Sequence, residues 1–82
     1  MKAHFQTPKY QWGQAMQAAV DLHNDGSHPQ VAAEALLARQ GSPCEIVNVG
    51  AVQSTGHPVY LVEFEDQLVV GVLENEILPR EN

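Results

Sequence analysis

Residues 58 to 78 read "PVYLVEFEDQLVVGVLENEIL", two apolar runs separated by "EDQ". Val, Leu, Tyr and Phe dominate the runs, and the polar triplet suits a tight turn, so residues 58 to 73 predict a β-hairpin. Alternate side chains of a strand share a face. Tyr60, Val62 and Phe64 therefore line one side of the first strand, and Val59, Leu61 and Glu63 the other. The acid that ends the second set makes the first set the core face.

Upstream, "CEIVNVGAV" is β-branched and predicts another strand at about residues 44 to 49, entered through the turn formers of "QGSP". "QSTGHP" then has the breakers and the length to join antiparallel neighbours, which completes a three-stranded meander. The stretch "QAMQAAVDLH" is divided: its residues favour helix, yet alternation puts Met16, Ala18, Val20 and Leu22 on one side. Strand is the reading adopted, because Gly13 precedes the run, "NDG" stops it, and a meander needs further strands to close its edges. "SHPQ" reads as a capping box, with Ser27 and Gln30 three apart, ahead of the Ala-rich "VAAEALLA". One or two helical turns are expected inside that long, irregular loop. The expected fold class is all-β, as one domain over residues 9 to 78 with flanking tails at 1–8 and 79–82.

With 82 residues, folding buries roughly 60% of the surface of the unfolded chain, enough for one modest core. Cys44 is the only cysteine, so the chain has no internal disulfide and cannot by itself supply the four thiolates that usually hold an iron–sulfur cluster. Ten acidic against four basic residues give a formal charge of −6, with no basic cluster to neutralise phosphates, so nucleic acid is not an expected partner. "MKAHFQTPKYQW" lacks the apolar core of a signal peptide and no run approaches a bilayer span, so a cytoplasmic protein without membrane association is expected.

The segment "HNDGSHPQ" gathers two histidines, an aspartate and a serine between residues 23 and 30. A metal would need His23 and His28 to converge with Asp21 or Asp25, and that spacing matches no known ligand pattern. A set of Ser27, His28 and Asp25 would need adjacent side chains to converge, with no oxyanion-forming loop nearby. The simpler reading is a turn, in which Asn24 and Asp25 bond their own backbone and Gly26 takes positive φ. No metal, cofactor or catalytic residue is expected. Cys44 starts a strand beside Glu45, whose charge disfavours a thiolate, and reads as structural. Glu63, Glu65, Asp66, Glu74 and Glu76 are expected to form one negative surface. Tyr10 and Trp12 either close the barrel end or offer an aromatic contact.

In order and spacing, "KYQWGQ", "NDGSHP", "LLARQGSPCEIVNVG", "VYLVEF" and "VVGVLENEIL" together resemble the NifZ family of nitrogen-fixation accessory proteins over about residues 9 to 78. The matching positions are Tyr10 and Gly13, then Asn24, Asp25 and Gly26, Gly50, Tyr60 and Phe64, and finally Gly71, Glu74 and Glu76. The chain departs from the family pattern at Gln14, where an Asp is usual, and at Pro43-Cys44-Glu45, which replaces a second turn glycine. It departs again at Val72, where cysteine is frequent, so no cysteine mechanism carries over.

The resemblance implies a small SH3-like barrel with the long loop after its first strand, and a chaperone-like, non-catalytic role. The implied partner is the nitrogenase molybdenum–iron protein or its assembly intermediates, whose P-clusters such proteins help to mature. Loops of this kind commonly make partner contacts, which nominates Asn24, Asp25 and His28 as partner-binding residues, with Trp12 as an aromatic contact and Glu74 and Glu76 from the acidic set beside them. A generic SH3-like adaptor outside nitrogen fixation is the alternative, because fold alone does not fix function.

Overall fold

The computed structural model describes residues 7–24, 28–29 and 31–80. The strands are β1 (Ala15–Ala18), β2 (Leu22–His23), β3 (Leu36–Ala38), β4 (Pro43–Ala51), β5 (Pro58–Phe64), β6 (Val69–Leu73) and β7 (Ile77–Pro79). A 3₁₀ turn, Glu74–Glu76, precedes β7. Five strands form one sheet in the order β6-β5-β4-β1-β7, and β2 pairs with β3 in a separate ribbon. All these pairings are antiparallel. The domain is thus all-β, and the order, with an excursion after the first strand and the last strand returning beside it, is compatible with an SH3-like barrel.

The meander positions everything else. Tyr60, Val62 and Phe64 of β5 are buried, as the alternation required, and Val70 and Val72 of β6 face inward beside them. On β4 the inward residues are Cys44 and Ile46, opposite Phe64 and Val62. A bulge between Ile46 and Asn48 then inserts one residue and changes the parity, so that Val49, not Asn48, lies opposite Tyr60. Met16, Ala18, Leu22 and Ile77 complete the core from the far side.

The chain departs from expectation in three places. Met16, Ala18 and Leu22 are buried, but Val20 is 45% exposed. The ladder stops at Ala18, and the Ala19 amide turns to the Glu76 carbonyl at 2.8 Å, so Val20 stands at a bend between β1 and β2. The helical turns expected after Ser27 do not form among the described residues. Glu34 takes φ 64°, which no right-handed helix tolerates, and residues 36 to 38 become β3. At the C-terminus the sheet outruns the predicted boundary: Pro79 pairs with Met16, and the Arg80 amide donates to the Ala15 carbonyl at 3.1 Å.

The "EDQ" turn forms as expected, but at a cost. Phe64 and Leu68 close the hairpin, and Gln67, which donates its amide to the Phe64 carbonyl at 2.9 Å, has φ 67°. This left-handed position suits glycine, since a Cβ crowds the following carbonyl there. Gln67→Gly should raise stability by about 0.5–1 kcal/mol, the relief of strain being partly offset by the freer unfolded chain. A urea midpoint at or below that of the wild type would show that the turn stores no such strain.

Candidate partner-contact site

The loop after β2 is built around one side chain. Asn24 is only 3% exposed, and its Nδ2 donates to the carbonyls of His28 (3.0 Å), Val31 (3.0 Å) and Ala32 (3.2 Å). Its Oδ1 accepts the His28 amide at 3.2 Å, while its backbone bonds Ala35 and Glu34. Only the NH₂ end of the amide can donate, its two hydrogens shared among the three carbonyls, so the amide's orientation is fixed by its partners. Asn24, expected as a contact residue, instead shapes the loop from inside, because burial and these bonds leave its side chain nothing to offer a partner. Asp25, Gly26 and Ser27, with the positive φ expected of Gly26 and the expected capping box, lie outside the described residues.

His28 ties this loop to the sheet. Its Nε2 lies 2.9 Å from the Val69 carbonyl, a contact that requires the ring to donate. His28 is thereby placed against β6, the edge strand of the five-stranded sheet among the described residues.

The second cluster lies where the chain enters the fold. Tyr60 is fully buried, and its hydroxyl donates to Glu74 Oε2 at 2.6 Å. The same hydroxyl accepts the amides of Lys9 (3.0 Å) and Tyr10 (3.2 Å), and the Lys9 amide also reaches Glu74 Oε2 at 3.0 Å. The Tyr10 ring packs on Tyr60 with centroids 5.7 Å apart, and the Lys9 ammonium stands 5.7 Å from the Tyr10 centroid. The Tyr60 hydrogen bond, followed by that of the Lys9 amide, holds the Glu74 carboxyl below its ordinary range. Burial, with the Glu74 contact adding to it, pushes the Tyr60 phenol up. This cluster is a clamp for residues 9 and 10, and sequence reading missed it. The signal was available: a buried tyrosine needs a partner for its hydroxyl, and the pairing of Tyr60 with Val72 brings Glu74 to that end of the strand.

The clamp decides between the two aromatic residues. Tyr10 is buried and closes the end, whereas Trp12 is 74% exposed. Trp12 and Gly13 are the central residues of a turn closed by the Gln14 amide on the Gln11 carbonyl at 3.1 Å, and Gly13 has φ 84°, as the third residue of a type II turn demands. The Gly13 amide in turn donates to Ile46 at 2.7 Å. The turn is anchored, and Trp12 is displayed on its tip.

The acids divide into two groups. Glu63, Glu65 and Asp66 lie at the turn end of the β5–β6 hairpin, and Glu74 and Glu76 at the other end of β6, a five-residue strand spanning about 17 Å. The expected single negative surface is therefore two. Glu76 accepts the Leu73 amide through Oε1 at 2.8 Å. Cys44 is buried, and burial pushes its thiol up to about 11, so the direction expected is found but desolvation, not Glu45, is its cause. Among the described residues no three His, Cys, Asp or Glu side chains come together as metal ligands. No helix among them is long and apolar enough to cross a membrane.

The model of the NifZ domain matches residues 7–79. The chain is also similar to Protein NifZ of Frankia alni, at 36% identity over 73 residues, which cover 87% of this chain and 38% of that protein. The chain thus spans well under half the length of this relative. No solved structure matches. A domain match over nearly the whole described sheet, together with this similarity, establishes that the chain belongs to the NifZ family.

Proposed function

We propose that this protein is a nitrogen-fixation accessory protein that binds immature nitrogenase molybdenum–iron protein and assists maturation of its P-clusters, without catalysing a reaction itself. Family membership is the observation that carries this reading. The chemistry of the chain supports it. One cysteine cannot hold a cluster, and Cys44, buried with its thiol raised to about 11, has almost no thiolate to offer as nucleophile or ligand. Help given to a cluster then comes through binding a client that supplies its own ligands. A factor that acts during assembly must bind the unfinished client better than the finished one, since only differential affinity can shift a population between two states.

The test is capture by the tagged protein from nitrogen-fixing cells blocked in cluster assembly, beside capture from unblocked cells. More molybdenum–iron protein should be recovered from the blocked cells. Cys44→Ala should capture as much as wild type, at a stability cost of about 1 kcal/mol. Equal recovery from both cell types would remove the assembly reading. Loss of capture in a folded Cys44→Ala protein would show that the thiol takes part.

A further inference from the structure

The outer face of the meander is apolar where a solvated sheet face would be polar. Leu61, Val69 and Leu73 are exposed there, and Val59 is half-buried beside them. The pairing register sets Leu61 opposite Gly71, and Val59 between Gly50 and Leu73. Neither glycine is required by the fold. Gly50 and Gly71 do not have positive φ, a Cβ on Gly50 would meet nothing within 4 Å, and one on Gly71 would touch only Leu61 Cδ2 at an ordinary 3.7 Å. Glycine weakens a strand, and where no turn demands it, it marks a close approach by another backbone or ligand. The missing side chains leave two hollows flanking the Val59–Leu61 ridge, about 320 Å³ over Gly50 and about 600 Å³ over Gly71.

The larger hollow opens on the edge of the sheet. Because the Phe64 amide donates to the Leu68 carbonyl at 2.9 Å, strand alternation bonds Val62 to Val70 and Tyr60 to Val72, and turns the amides and carbonyls of Val69, Gly71 and Leu73 outward. His28 covers the Val69 carbonyl and Glu76 covers the Leu73 amide, which among the described residues leaves the Gly71 backbone as the open place between them. Glu63 lies opposite Val69 at one end of the face and Glu76 lines the hollow at the other, while no Lys or Arg among the described residues lines either hollow.

We propose that this face and edge seat an extended basic segment of a partner protein, its backbone against Gly71, its apolar side chains in the two hollows and its cationic side chains toward Glu63 and Glu76. The negative ends of the face and the formal charge of −6 select a cationic occupant over a second copy of this acidic chain. The proposal deepens the client-binding reading by naming the surface and the chemistry of the client segment.

Its test uses the full chain and a defined probe, a synthetic peptide of alternating valine and lysine, with a valine and glutamate peptide as control. In amide NMR titrations the lysine peptide should shift Val59, Leu61 and Val69 to Leu73, and the glutamate peptide should not. Gly71→Val, which suits a strand and whose Cβ makes only ordinary contact there, should keep the fold and weaken the lysine peptide about tenfold by filling the hollow. Raising salt should weaken it further. Absence of shifts at this face, equal response to both peptides, or unchanged binding by folded Gly71→Val would overturn the proposal. A dimer in sedimentation that Gly71→Val abolishes would also overturn it, in favour of self-association. Client capture distinguishes the two readings: wild type and Gly71→Val capturing equally would refute the groove and spare the function, whereas peptide binding without client capture would do the reverse.

Discussion

Asn24→Asp should destabilise this protein by about 3 kcal/mol at neutral pH, although it exchanges one isosteric group for another. The wild-type amide donates to three carbonyls, those of His28, Val31 and Ala32. A carboxylate has no hydrogen to give, and it would face those oxygens with a negative charge at a buried position. Asn24→Ala takes the donor from the Val31 carbonyl and the acceptor from the His28 amide without adding charge, while the His28 and Ala32 carbonyls keep the amides of Val31 and Ala35, and it should cost about 2 kcal/mol. The order of the two variants separates donor chemistry from mere bulk. The aspartate variant also carries a pH signature. Its carboxyl would be held protonated above its usual range, because only the protonated form can donate to a carbonyl. The sign follows: a raised folded pKa penalises stability least below the unfolded value, about 3.9, and most once the pH has risen through the folded value. Urea midpoints near pH 4 and pH 7 measure this. An aspartate variant as stable as wild type at pH 7 would mean that the loop does not depend on the amide's donors.

The same residue shows where the sequence was readable. Residues 58 to 73 announced their structure because apolar and polar positions alternate there against one core, and Tyr60, Val62 and Phe64 are buried accordingly. The bulge in β4 was hidden, since an inserted residue looks like any other in a β-branched run. The Ala-rich stretch after Ser27 failed for a different reason. Its local preference is helical, yet the His28, Val31 and Ala32 carbonyls are taken by one buried side chain, and Glu34 at φ 64° turns the chain into β3. A long-range demand overrode propensity there. Among the candidate contact residues, Trp12 and His28 could be placed in loops from sequence, but that Asn24 points inward could not. The Tyr10–Tyr60–Glu74 clamp joins residues 50 and 64 apart, beyond the reach of any local pattern, and the glycines at 50 and 71 read as fold markers until their backbone angles were known.

Tyr60→Phe should lower stability by about 2 kcal/mol while leaving the ring packed. The hydroxyl is the acceptor for the Lys9 and Tyr10 amides and the donor to Glu74. Without it the Lys9 amide keeps Glu74 Oε2, but the buried Tyr10 amide loses its partner, and an unsatisfied buried donor carries the full desolvation penalty. The pH dependence follows from the two directions of shift. Glu74 is held below its ordinary range, so its contribution is fully present above the unfolded pKa of about 4.3 and is lost as the pH falls through the folded value. The Tyr60 phenol is raised, so its contribution is present below the unfolded pKa of about 10 and is lost as the pH rises through the folded value. Between those limits the clamp is intact. Tyr60→Phe should therefore unfold less steeply in acid than wild type, because its Glu74 is less depressed. A double-mutant cycle with Glu74→Gln should give a coupling of roughly 1 kcal/mol near pH 7 that shrinks in acid. Hydrogen exchange at the Tyr10 amide should accelerate more than at the Val62 amide, since the clamp holds an entering segment and not the sheet. A cycle with no coupling at pH 7, or equal acceleration at both amides, would show that the phenol acts only as core packing. The clamp also fixes the base of the turn that displays Trp12, so loosening it should free that turn without touching the outer face of the meander.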